Sequence, residues 1–160
     1  MNQTSPNIQI VHSEKEYQAA ATLFREYAYW LGIDLSFQGF EAELADIKSM
    51  YAPPLGQIWL AVFQDKAVGC IALRPKNEIT GELKRMFVQP EFQRKGIGQQ
   101  LLDTAVNYAI EQGKETLVLD TLNHMEPAMK LYQKNGFEEI SAYYHNPYPE
   151  AVYFKKWLKK

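Results

Sequence analysis

Two glycines one residue apart, Gly96-Ile97-Gly98, follow directly on the cations Arg94 and Lys95. The stretch Val88-Gln89-Pro90-Glu91-Phe92-Gln93-Arg94-Lys95-Gly96-Ile97-Gly98 lies between a strand-like run and a long run with helical spacing. Glycine lacks a Cβ, so the backbone here can approach a ligand closely. The helix behind it supplies unpaired N–H groups and a positive dipole end. Together these features suit a pyrophosphate, and Arg94 and Lys95 add charge beside it. Two glycines also fit a plain strand-to-helix turn. Two other phosphate motifs are excluded. The dinucleotide fingerprint needs a third glycine where Leu101 stands, and the Gly-Lys-Ser/Thr of the Walker pattern is absent. Three further groups could move protons: Glu82, Asp120 and Tyr132. Their bland readings are a strand-edge salt bridge with Lys84 or Arg85, a helix-capping carboxylate, and a core tyrosine. His12, His124 and His145 lack metal-ligand spacing, so no metal is expected. His124 reads as a surface-loop residue that could touch a substrate. Cys70 sits in an apolar run and reads as a buried packer rather than a nucleophile.

The whole spacing says more than the glycines alone. Gln93-Arg94-Lys95-Gly96-Ile97-Gly98 resembles the Gln/Arg-x-x-Gly-x-Gly/Ala element of the GNAT superfamily of N-acetyltransferases, with Val88-x-Pro90 ahead of it. Leu131-Tyr132-Gln133-Lys134-Asn135-Gly136-Phe137 resembles that family's Leu-Tyr-x-x-x-Gly-Phe signature. The resemblance implies an acetyl-CoA-dependent N-acetyltransferase. The strand ending at Met86-Phe87-Val88 would splay from its neighbour, and its free backbone groups would meet the pantetheine arm and polarise the thioester carbonyl, an oxyanion-type role. Arg94, Lys95, Gly96, Ile97, Gly98 and Gln99 match the pyrophosphate loop. Tyr132 matches the tyrosine that lies near the coenzyme sulfur and can act as general acid. Glu82 matches the catalytic glutamate of the histone-acetylating branch. Asp120 matches the proposed base of the ribosomal-protein-acetylating branch, although Met125 stands where that branch has an asparagine. Glu82 is the preferred base, acting through water, with its pKa raised by partial burial.

These groups need a frame. Strands are expected over Ile8–Val11, Ile58–Gln64, Ala67–Arg74, Ile79–Val88, Thr116–Asp120, Phe137–Ser141 and Val152–Trp157. Helices are expected over Glu16–Leu31, Gly39–Met50, Ile97–Glu111 and Pro127–Lys134. Pro53-Pro54 and Gly56 force a loop between the first two helices and the strands. Alternation along the third long strand puts Glu82, Lys84, Met86 and Val88 on one face. Short connections in the first half imply antiparallel pairing. The second half alternates strand and helix, so helices pack on a mixed sheet. The expected fold is one α/β domain over residues 1–160, with a twisted, mixed, mostly antiparallel sheet flanked by helices. The loop Tyr143–Glu150 is rich in aromatics and proline; it reads as a specificity loop or as a hydrophobic lid.

Composition narrows the partners. The chain has 160 residues, 46% of them apolar, and a net charge of −2, so nothing marks a nucleic-acid-binding face. The basic run Lys155–Lys160 reads as a solvated end. No run reaches the length of a membrane span, and Met1–Asn7 lacks the apolar centre of a signal peptide. One cysteine suits a reducing cytoplasm. The expected acceptor is a small-molecule amine, with acetylation of protein lysines or N-termini as the alternative. A CoA-binding regulatory module without turnover is the alternative of another class. A homodimer is compatible with the sequence.

Overall fold

The first helix starts where its cap allows. Ser13 Oγ accepts from the Glu16 N–H at 3.2 Å, and Glu16 Oε1 accepts from the Ser13 N–H at 2.8 Å. This reciprocal box begins α1 at Glu14, two residues before the periodicity alone suggests. The helix runs Glu14–Leu31 and stops at Gly32, which is left-handed at φ 72°. The computed structural model describes residues 6–32, 34, 39–51, 53 and 56–158. Pro54 of the loop, Lys159 and Lys160 of the basic run, and Met1–Ser5 lie outside the described residues.

The strands are β1 (Asn7–Ile10), β2 (Gln57–Phe63), β3 (Lys66–Pro75), β4 (Thr80–Val88), β5 (Thr116–Leu122), β6 (Glu138–Ile140) and β7 (Ala151–Trp157). They form one sheet in the order β1-β2-β3-β4-β5-β7-β6. Every neighbouring pair is antiparallel except β4 with β5. The tight turn between β2 and β3 uses Gln64 and Asp65, both at positive φ, as a two-residue hairpin requires. α4 (Ile97–Glu111) and α5 (Glu126–Lys134) belong to the second half. Leu101, Leu102, Ala105 and Ala109 of α4 pack with Leu73, Leu83, Leu117 and Leu119 on one face of the sheet. On the other face Ala20, Leu23 and Phe24 of α1 pack with Ile58, Leu60, Cys70 and Phe87. Cys70 is a buried packer, as expected, and its thiol donates to the Arg85 carbonyl at 3.2 Å.

Two features depart from the sequence reading. The helix expected over Gly39–Met50 is two short helices, α2 (Phe40–Ala45) and α3 (Ile47–Tyr51), broken at Asp46 (φ −130°). In a straight helix eight residues separate side chains by about 12 Å along the axis. The break lets the Tyr51 hydroxyl donate to Glu43 Oε2 at 3.0 Å. The second departure is in β4. Cys70 pairs with Phe87, but Ala72 pairs with Lys84, so two residues of β4, Arg85 and Met86, face Ile71 alone. This is a β-bulge, and Arg85 takes φ 60° to make it. Glu82, Lys84 and Phe87 share the face of Arg74, Ala72 and Cys70, while Met86 and Val88 pack with the α4-side core. The expected single face of Glu82, Lys84, Met86 and Val88 is therefore corrected: the extra residue flips the alternation part-way along the strand.

Candidate active site

The parallel pairing of β4 with β5 is short. It joins Thr80–Glu82 to Thr116–Val118 and then ends. Beyond Glu82 the two strands diverge, and the β5-side backbone groups of β4 have no strand partner there. The wedge opens into a groove of about 820 Å³. Met86, Phe87 and Val88 line one side, and Arg94, Gly96, Ile97, Gly98 and Gln99 line the end formed by α4. Gly96 caps α4 at φ 81° and Arg94 precedes it at φ 64°, so the loop curls and leaves the first-turn N–H groups of α4 toward the groove. Gln93 Nε2 donates to the Val88 carbonyl at 2.8 Å, which closes the loop against the end of β4. Gln99 contributes backbone rather than side chain, since its amide exchanges bonds with Asn135 at 2.8 and 3.0 Å. Lys95 is set apart from the groove lining, with its ammonium 6.0 Å from the centre of the Phe92 ring.

Tyr132 reaches the groove from α5. The rings of Phe137 and Phe154, centred 5.7 and 6.0 Å away, hold it in place. Burial, with smaller pushes from Tyr27 and Asp120, raises its pKa well above the ordinary phenol value, so it stays protonated. Four residues, Tyr27, Met86, Thr121 and Tyr132, line both the groove and a smaller crevice behind it. That crevice is small, about 30 Å³. Lys84, Arg85, Asp120 and Asn146 complete its polar wall.

The two candidate carboxylates differ in setting. Asp120 lines the crevice, and burial raises its pKa despite a 2.8 Å hydrogen bond from Tyr144 and the nearby Lys84. Glu82 lines neither cavity. Burial pushes its pKa up, but Lys84, the Arg74 guanidinium at 2.9 Å and the Tyr143 hydroxyl at 2.8 Å together hold it below the ordinary value. The expected upward shift at Glu82 is thus corrected, because ion pairing outweighs desolvation. Lys84 is lowered to about 8, chiefly by burial and then by Arg85.

The loop after β6 closes this face. Tyr143 and Tyr144 pack on the Tyr153 ring and reach Glu82 and Asp120. The Tyr148 hydroxyl accepts from the Asp34 N–H at 3.1 Å, tying the loop to the segment after α1. Tyr27 and Trp30 on α1 are site residues the sequence did not single out for chemistry. Tyr27 fits the apolar stripe of α1, and only the end of β4 beside it marks it as cavity lining. His124 stands on the groove rim and is exposed. Among the described residues no cluster of three His, Cys, Asp or Glu side chains could hold a metal ion. Nor is any described helix long and apolar enough to cross a membrane.

A groove at splayed strands, ending on a glycine-capped helix, is the arrangement the sequence resemblance implied. The acetyltransferase (GNAT) family pattern matches residues 17–137. The chain belongs to the GNAT acetyltransferase family. An uncharacterised N-acetyltransferase of Schizosaccharomyces pombe is 33% identical over 162 residues, covering 100% of this chain and 99% of that protein. The N-acetylaspartate synthetase of Danio rerio is 32% identical over 118 residues, covering 71% of this chain and 42% of that protein. A GNAT family acetyltransferase of Elizabethkingia anophelis, solved with acetyl-CoA bound, shares the fold with a TM-score of 0.69 at 23% identity, over 97% of this chain and 99% of that one. This GNAT chain is an acetyl-CoA-dependent acyltransferase.

Proposed function

We propose that this enzyme transfers the acetyl group of acetyl-CoA to the primary amine of a small molecule by direct attack. The observation that carries the proposal is the crevice behind Met86 and Tyr132. Asp120 stands on its wall with its carboxylate bonded to the Tyr144 hydroxyl, and Asn146 of the aromatic loop lines it as well. A peptide acceptor needs a long open trough, and the Tyr148–Asp34 bond ties the aromatic loop to the segment after α1. The N-acetylaspartate synthetase relative is named for a small acetylated product.

In this reading the first-turn N–H groups of α4 and Arg94 hold the pyrophosphate. The backbone of Met86–Val88 accepts the pantetheine amides and polarises the thioester carbonyl. Asp120, with its raised proton affinity and its place on the crevice wall, takes the proton of the acceptor ammonium, directly or through one water. The neutral amine adds to the thioester carbon, the C–S bond breaks as the C–N bond forms, and Tyr132 passes its proton to the departing sulfur and regains one from the newly bonded nitrogen, directly or through a water.

Release of CoA across a panel of small amines and lysine peptides tests the acceptor class. Turnover on small amines supports the proposal; turnover confined to peptides would overturn it. Tyr132→Phe should leave acetyl-CoA affinity unchanged and lower kcat by about 100-fold or more. Turnover within a fewfold of wild type in that variant would make Tyr132 a packing residue only.

A further inference from the structure

Arg85 does something no local rule requires. It is a charged residue only 5% exposed, and it sits at φ 60°, a conformation that a side chain with a Cβ disfavours. Its guanidinium forks onto Glu43 of α2, Nε to Oε2 at 3.0 Å and Nη2 to Oε1 at 2.7 Å. Glu43 is 1% exposed and accepts a third bond from Tyr51 of α3 at 3.0 Å. The Phe40 ring lies 5.3 Å from the guanidinium carbon. The Arg85 carbonyl is held separately, by the Cys70 thiol of β3. Side chain and carbonyl of the bulge residue are thus gripped from two directions, and the next three residues, Met86–Val88, line the groove.

We propose that Arg85 is a positioning residue for the thioester: the Glu43 clamp holds the β4 bulge so that the backbone of Met86–Val88 meets the acetyl carbonyl. The proposal rests on the reading of Met86–Val88 as the thioester cradle, and it does not depend on the acceptor's identity. A bulge flips every side chain beyond it and re-aims the backbone groups there. Without a grip, φ at Arg85 relaxes toward the ordinary extended region and the strand loses that aim. The clamp also links the cradle to α2, on the same face of the sheet as α1.

A structural anchor and a positioning clamp predict different results. Removing one partner strands a buried charge and unfolds the site for a trivial reason, whereas removing both leaves an apolar contact and one unbonded hydroxyl, that of Tyr51, at a smaller cost. The test is therefore the double variant Glu43→Met/Arg85→Met, measured three ways. These are its melting temperature, its acetyl-CoA affinity by calorimetry, and the carbonyl stretch of bound acetyl-CoA labelled with 13C at the carbonyl. Polarisation by the cradle lowers that stretch relative to free acetyl-CoA, and no acceptor is needed to read it. The expected result is a modestly lowered melting temperature from the unbonded Tyr51 hydroxyl, near wild-type affinity, a stretch returned toward the free value, and kcat lowered about 100-fold, the scale of losing one oxyanion-type donor. Arg85→Lys keeps the buried cation and gives up the fork. It should move the stretch and kcat the same way by a smaller amount, so the question stays open to measurement if the double variant folds poorly. A wild-type stretch and kcat in either folded variant would overturn the proposal. A failure of the small-amine reading would show instead as an unproductive amine panel with the wild-type stretch intact.

Discussion

Gly98→Glu is expected to abolish acetyl-CoA binding. Gly98 stands in the first turn of α4 and lines the groove. A glutamate there fills the pyrophosphate position and sets a carboxylate against two phosphates. It also occupies the N–H groups and dipole end meant for the ligand. The effect does not come from the backbone: a Cβ at position 98 meets only Leu131 Cδ2, at 3.5 Å, an ordinary contact. Gly98→Ala is the matching control and should bind nearly as well as wild type. Thermal-shift titration reads the difference. Ligand at a hundredfold over Kd stabilises by about 2.7 kcal/mol, which for a domain of this size raises Tm by roughly 5–10 °C. Wild type and Gly98→Ala should show that rise, and Gly98→Glu should show none. Undiminished stabilisation in Gly98→Glu would remove the phosphate loop from this position. Comparable stabilisation by NAD would reopen the dinucleotide reading.

Asp120→Asn should lower kcat/KM by about 100-fold or more, whereas Glu82→Gln should stay within a fewfold of wild type. The sign of each shift decides this. Burial raises the Asp120 pKa, so its carboxylate is the more basic of the two and must be deprotonated to work. Activity should therefore rise with pH through that raised pKa, and the Asn variant should lose this acid limb. Glu82 is held below its ordinary value by Lys84 and Arg74 against the push of burial, and remains ionised across the working range. Its lowered pKa is a stability contribution instead. That contribution is complete above the unfolded-state pKa near ~4.3 and is lost as pH falls through the lower folded value. Glu82→Gln should thus lower Tm at neutral pH and much less in acid. If Glu82→Gln collapses the rate and Asp120→Asn spares it, the base lies on β4 after all. If neither matters, the acceptor loses its proton to solvent and catalysis is mostly positioning.

The family, the single α/β domain and the mixed, mostly antiparallel sheet could be read from the chain alone. So could the groove lining: Gly96, Ile97 and Gly98 announce a helix cap, and Leu131-Tyr132 with Gly136-Phe137 places a tyrosine against it. Those features are local. A glycine pair, a 3.6-residue stripe or an apolar strand run carries its meaning within a dozen residues. Other features had no local mark. The bulge at Arg85 is written in ordinary strand residues, and its clamp is Glu43, 42 positions earlier. The split between α2 and α3 lets Tyr51 reach that same carboxylate. β7 enters the sheet between β5 and β6, and this carries Tyr153 and the aromatic loop onto Asp120. Glu82 and Asp120 look alike as letters, and only the positions of Arg74, Tyr143, Tyr144 and Lys84 around them drive their proton affinities apart. Register and electrostatics depend on which distant residues end up a few ångströms away, and chain order does not contain that distance until the sheet has closed.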